Sequence, residues 1–198
     1  MIDSLVELTL DAFKKRLNEE NSLLVQREWG YTENLVCYFF PAATIEEIVE
    51  FQNEHNIKFP VDFKLFLLLH NGVQLFCHPK YGDGFEIFGL LEIYQHYIEY
   101  NYRDLIPDGW FPIGSDNGDI LFINSKDYTD NQRENSYLYW SEKLFVDNAK
   151  EIGLNFERWF ERFLMYNGDL FWVWGKEKPY HYYGRLKQHL LNIEKYHK

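Results

Sequence analysis

Phe59-Pro60-Val61-Asp62-Phe63-Lys64-Leu65-Phe66-Leu67-Leu68-Leu69-His70-Asn71-Gly72 is a short helix with both ends spelled out. Pro60 suits the first helical turn, where a missing N–H removes no intrahelical bond and the fixed φ is already helical. Phe63, Phe66, Leu67 and His70 recur at helical spacing and mark one apolar face. Asn71-Gly72 closes the unit, because Gly enters the left-handed region without a Cβ penalty. No residue type in the stretch calls for chemistry, so the most sharply specified part of the chain is a packing unit.

Upstream, Thr44 and Glu47 stand at the spacing of a capping box, with Ile45, Ile48 and Val49 as the expected apolar face of a helix ending near Asn56. Two helices this close in sequence are expected to pack together. Ser4 and Glu7 repeat the box before a first helix, Leu5–Leu17, with Leu5, Leu8, Ala12 and Phe13 as its face. Between them, Leu23–Trp29 and Leu35–Phe40 read as two strands.

Downstream of Gly72 the pattern changes to period two. Val73–Phe76 and Phe85–Phe88 are short strands around a polar loop, and Leu91–Tyr102 is a helix. Phe111–Gly114 and Asp119–Ile123 are strands joined through Ser115-Asp116-Asn117-Gly118, and Asn-Gly is a strong hairpin signal because both residues tolerate positive φ. Ser136–Trp140 and Lys143–Val146 are expected to extend the meander. Phe156, Trp159, Phe160, Phe163 and Leu164 form an amphipathic helical face after Asn155, closed by Asn167-Gly168. Leu170–Trp174 reads as an extended aromatic segment, and Arg185–Tyr196 as a final helix. Helices and hairpin-linked strands mix without β-α-β alternation, which predicts an α+β fold with a mainly antiparallel sheet flanked by helices, residues 1–198 forming a single domain.

The 198 residues carry a net charge of −11, unevenly placed. Lys176–Lys198 is net +4, leaving −15 on the remainder. Between Tyr81 and Ser125 sit Asp83, Glu86, Glu92, Glu99, Asp104, Asp108, Asp116 and Asp119, opposed by Arg103 alone. Such a field repels nucleic-acid phosphates and attracts a basic partner, although acidic surfaces also serve plain solubility. Tyr94, Tyr97, Tyr100 and Tyr102 interleave with these acids, a mixture found at protein interfaces and on ordinary helix surfaces alike. Cys37 and Cys77 belong to no C-x-x-C motif; two buried free thiols of a reducing cytosol are the favoured reading, with a single disulfide as the alternative. The first residues show neither a basic nor an apolar signal region, and the longest aliphatic run is far below the ~20 residues of a membrane span. A cytoplasmic protein without membrane or nucleic-acid contact is expected.

The ordered set of units resembles the SUKH superfamily, known from the yeast Smi and Knr cell-wall regulators and from bacterial toxin-immunity proteins. The residues carrying the likeness are Thr44-Ile45-Glu46-Glu47-Ile48, then Ile57 to Phe66 with Asn71-Gly72, then Phe88-Gly89-Leu90-Leu91-Glu92-Ile93. Trp110-Phe111-Pro112-Ile113-Gly114-Ser115-Asp116-Asn117-Gly118-Asp119, Tyr137–Trp140 and Phe156–Leu164 complete it, so that it spans roughly Thr44 to Tyr166. The resemblance implies an α+β binding domain with no accepted catalytic residue set. Bacterial members are thought to neutralise toxins, often nucleases, whereas fungal members regulate through protein contacts.

Other chemistry finds little footing. None of the seven histidines has zinc-ligand spacing, and neither cysteine has a close partner. His78, Asp83 and Glu86 could converge around one loop, but a chance loop composition explains them better. His70 is expected as a hydrogen-bonded core histidine. Asp116–Asp119 lacks the oxygen alternation of a calcium loop, and a hairpin turn accounts for it. No nucleophile elbow or phosphate-binding glycine loop occurs. Neither metal nor cofactor is expected. The leading expectation is therefore an immunity protein that covers a basic toxin domain, with Asp104, Asp108, Asp116 and Asp119, then Glu92 and Glu99, and Trp110 as an aromatic anchor. A regulatory or scaffold protein ranks second, and a carbohydrate-active hydrolase using paired carboxylates third.

Overall fold

A computed structural model of the chain describes residues 4–102, 105–128, 135–144, 146–174, 180–181 and 183–188. In chain order the elements are α1 (Leu5–Lys14), β1 (Ser22–Gln26), β2 (Thr32–Phe39), α2 (Ile45–His55), α3 (Val61–Leu69), β3 (Val73–Cys77) and β4 (Phe85–Ile87). There follow α4 (Leu90–Tyr102), β5 (Trp110–Asp116), β6 (Asp119–Asn124), β7 (Leu138–Ser141), β8 (Lys150–Glu151) and α5 (Phe156–Met165). The strands form one antiparallel sheet in sequential order, β1 to β8. The fold is α+β, as the alternation of periods predicts.

Strand alternation divides the core in two. On β6, Leu121 and Ile123 face the main core, while Ile120 and Phe122 join Tyr100 of α4 in a smaller cluster. The main core is a lattice of rings from α3 and α5: Phe63 meets Phe156 at 5.0 Å and Phe66 meets Phe160 at 5.5 Å between centroids. Such pairs add about 0.5–1.5 kcal/mol each beyond area burial.

One buried carboxylate ties this lattice to the sheet. Asp62, in the first turn of α3, is 9% exposed. It accepts the Tyr137 hydroxyl, the Glu157 N–H (3.0 Å) and the Phe63 N–H (3.0 Å). The Tyr137 oxygen in turn accepts the Phe156 N–H at 3.0 Å. The orphan N–H groups of the first turn of α5 are thus satisfied from α3 and from the lead-in to β7.

The ends of α1, α2 and α5 carry the caps their sequences signal, α1 by one half of its box. Thr44 and Glu47 form the full capping box, and the Ser4 hydroxyl accepts the Glu7 N–H at 3.1 Å. Asn155 caps α5, and Asn56 ends α2 in the left-handed region.

Several expectations are corrected. The buried face of α1 is Val6, Leu10 and Phe13, with Leu8 exposed, because packing against α3 and α5 selects an adjacent helical stripe. On α2 only Ile48 is buried; Ile45 and Val49 face outward and Phe51 stacks on Phe59 instead. Pro60 is the N-cap of α3 rather than part of its first turn, and His70 has already left the helix. Its ring bridges Phe40 O through Nδ1 (2.6 Å) and the Lys14 ammonium through Nε2 (2.7 Å) and is half-buried. Of the expected strand Lys143–Val146, the described residues 143, 144 and 146 lie in 3-10 turns. Lys143 takes φ +51, which breaks the extended run into a tight turn held by its N–H on Asp119 (2.9 Å), and pairing resumes at β8. Leu170–Trp174 holds a 3-10 turn, Phe171–Val173, with Trp172 packed on Trp140. Arg185–Tyr196 is helical as far as residue 188, and its remainder lies outside the described residues. Cys37 and Cys77 are free and buried; burial pushes both thiols up to about 11.

Candidate functional site

Sequential strand order sends every odd-to-even turn to the same end of the sheet. The β1–β2 turn, the β3–β4 loop and the β5–β6 hairpin meet there with the chain leaving α5. Together they line an open cavity of about 550 Å³. Its charged lining is Glu33, Asp83, Asp116 and Asp169, against the single guanidinium of Arg27.

Each wall has a local cause. Asn117 (φ +50) and Gly118 (φ +88) make the two-residue turn that matches strand twist, which sets Asp116 and Asp119 opposite one another at the tip. The β3–β4 loop is wound around His78, whose Nδ1 accepts the Lys80 and Tyr81 N–H groups at 3.1 and 3.3 Å. His78 is thereby a loop former, and Asp83 is presented beside it. Beneath lies a bulge between β2 and β3, where Phe76 takes φ +57 and buries its ring. Gly168 (φ +82) presses against that ring: a Cβ there would lie 2.4 Å from Phe76 Cδ2. Arg27 donates from Nη1 to Asn167 O (2.9 Å), and its Nε stands 3.7 Å from Glu33.

The electrostatics are one-sided. Burial raises the Asp116 carboxyl pKa, and the nearby Asp119 and Asp83 raise it further, while Arg27 pulls it down. The cavity therefore holds a negative field that its one cation leaves uncompensated. Tyr31 and Tyr81, both well exposed, stand on its lining. A guanidinium or ammonium group would find carboxylates and ring faces here together.

The remaining candidates lie elsewhere. Asp108 and Trp110 sit at the start of β5, about 20 Å of strand from Asp116. Asp108 pairs with Lys126 at 2.9 Å, and Trp110 packs between Tyr139 and Phe122. Glu92 and Glu99 lie on α4, and Asp104 lies outside the described residues. The structure thus joins Asp116 and Asp119 with Asp83 and separates them from Asp108 and Trp110. Glu33, Asp169 and Arg27 complete the cavity from segments far away along the chain; the sequential order of the strands places Arg27 and Glu33, and the chain leaving α5 places Asp169.

Among the described residues, no three His, Cys, Asp or Glu side chains are placed to hold a metal ion, and no helix is long and apolar enough to cross a membrane.

Comparison with known proteins finds the SMI1 / KNR4 family (SUKH-1) over residues 42–162. The chain is 32% identical to the Bacillus subtilis (strain 168) "Uncharacterized protein YobM" over 184 residues, covering 90% of this chain and 96% of the relative. It is 30% identical to "Uncharacterized protein YnaB" of the same strain over 143 residues, covering 71% and 89% respectively.

Proposed function

The chain belongs to the SMI1/KNR4 family (SUKH-1), and from that membership we propose that it is a non-catalytic, cytoplasmic immunity protein that neutralises a basic toxin domain, a nuclease, by binding it directly. The observation that carries this reading is the cavity at the turn end of the sheet, where four carboxylates gather around one arginine and the Asp116 carboxyl is held above its ordinary range. An enzyme that cuts a polyanion must present cations where it meets phosphate. Those same cations are what an uncompensated acidic cavity accepts, so occupying it would block the nuclease at the surface it needs.

Long-range attraction of this kind speeds encounter more than it slows escape. The test is co-expression with candidate basic nuclease toxin domains, followed by binding kinetics with the purified, inactivated domain that the chain neutralises. The unmodified chain should protect cells. The Asp83→Asn/Asp116→Asn double variant should lower the association rate about tenfold at low salt and flatten its salt dependence. Asp108→Lys, at the far end of β5, reports whether that end contributes. Absence of protection, or an association rate indifferent to both charge changes and salt, would overturn the proposal.

A further inference from the structure

Helix α4 is apolar on two sides. Ile93 and Tyr100 turn inward, but Leu91, Tyr94 and Ile98, at i, i+3 and i+7, are 61%, 38% and 46% exposed. A helix needs only one such stripe to hold itself to a sheet. The second stripe continues onto α2, whose His55 ring stacks on Tyr94 at 4.4 Å between centroids. The two helices contain six glutamates (Glu46, Glu47, Glu50, Glu54, Glu92 and Glu99) and neither lysine nor arginine.

We propose that the Leu91–Tyr94–Ile98 stripe, carried with His55 by two helices that contain glutamates and neither lysine nor arginine, is the docking surface for an apolar ridge flanked by lysines or arginines on the basic partner. The inference rests on the function proposed above and names the face that holds the partner once the acidic field has brought it near. Charge selects the occupant. A second copy of this chain would set helices rich in glutamate and without lysine or arginine against their like, and nucleic acid or an anionic bilayer would be repelled. A basic protein surface brings the missing cations to the rim and apolar side chains to the centre, the usual anatomy of an interface.

The rates separate the two contacts. Apolar burial at the centre of an interface governs dissociation, whereas the charged cavity governs encounter. The probe is the purified, inactivated basic nuclease domain selected by the protection test above, presented to the immobilised full chain. Leu91→Asp/Ile98→Asp should raise the dissociation rate about tenfold or more while the association rate changes less than about twofold. The new carboxylates add attraction for a basic partner, so the loss would be due to the apolar contact. Leu8→Asp, an equally exposed apolar position on α1, should change neither rate. Leu91→Ser/Ile98→Ser gives the same reading with a milder change, and unaltered thermal unfolding confirms intact folding. Unchanged dissociation in both double variants, with the unmodified chain binding, would sink this inference and leave the proposed function standing. Failure of the unmodified chain to bind would remove both. A photo-cross-linking residue at position 98 should join the toxin domain; joining a second copy, or residues 189–198 of the same chain, would overturn the assignment.

Discussion

Removing the Asp62 carboxylate should be the most damaging polar substitution in the core. Two of its hydrogen bonds cross the fold, to the Tyr137 hydroxyl and to the Glu157 N–H, and the third stays within α3. A bond to a charged group is worth about 1.5–3 kcal/mol, so losing the two long-range bonds costs about 3–6 kcal/mol. A domain is typically stable by about 5–15 kcal/mol, so Asp62→Ala brings this one close to unfolding. The gentler variants make the effect measurable. Asp62→Asn keeps one acceptor oxygen and should lose about half as much, about 1.5–3 kcal/mol. Tyr137→Phe removes the donor to Asp62 and also strips the Phe156 N–H of its acceptor, for a similar loss. Urea unfolding followed by tryptophan fluorescence gives each value, and the double variant closes a cycle. Because the two side chains share one bond, the double loss should fall short of the sum of the single losses by about 1–2 kcal/mol. Full additivity, or an Asp62→Ala loss below about 1 kcal/mol at constant m-value, would refute the idea that this group couples α3, β7 and α5.

Protonation of His70 should destabilise the protein. Burial holds its pKa below the ordinary 6.5, with Phe40 O favouring the charged ring and Lys14 opposing it. The folded state therefore prefers the neutral ring. Its contribution is full above about pH 6.5 and is lost as pH falls through the lowered folded value, so wild type should lose more stability than His70→Gln between pH 7 and 5. Cys37 and Cys77 should resist Ellman's reagent in the native state at pH 8 and react promptly in denaturant, since burial pushes both thiols up to about 11. Gly168→Ala should cost about 2–3 kcal/mol in urea unfolding, because the residue sits at positive φ and its Cβ would meet the Phe76 ring.

Most of the fold is legible because its signals are local. The Thr44–Glu47 box, the Asn117-Gly118 turn and the α5 stripe each state a structure within a few residues. The misread positions are those that tertiary contacts decide. Leu5-Leu8 and Val6-Leu10 are both admissible helical faces, and only the helices packed on α1 choose between them. Lys143 carries no turn signature, yet its N–H, donated to the Asp119 carboxylate, holds its left-handed conformation. His70 continues the α3 periodicity by count, but its ring is claimed by Phe40 O and Lys14. The candidate site was legible as a density of acids and not as a place. Density along the chain cannot place Asp108 just before β5 and Asp116 at its far end, nor bring Glu33 and Asp169 beside Asp83; strand order brings Glu33, and the chain leaving α5 brings Asp169.

The cavity also stands apart energetically from the frame that builds it. Its base requires Phe76 in a conformation that bulky residues avoid, at about 1 kcal/mol or more, and a glycine at 168 to admit that ring. Those costs fall on residues the core over-determines, so they are met by packing. The charge has no such cover. A carboxyl whose folded pKa is raised, as at Asp116, costs stability whenever it is ionised, and the penalty disappears only below the ordinary aspartate range. Asp83 is exposed and Asp116 only half-buried, so neither fills space that a neutral side chain would leave empty. Arg27 does not cancel them, because its guanidinium is directed to Asn167 O and lies beside Glu33. The frame is therefore held by packing while the ionised Asp116 carboxylate within it works against folding. A cationic group entering the cavity would reverse that sign, which is the physical ground for seeking the counter-charge in a partner rather than within the chain.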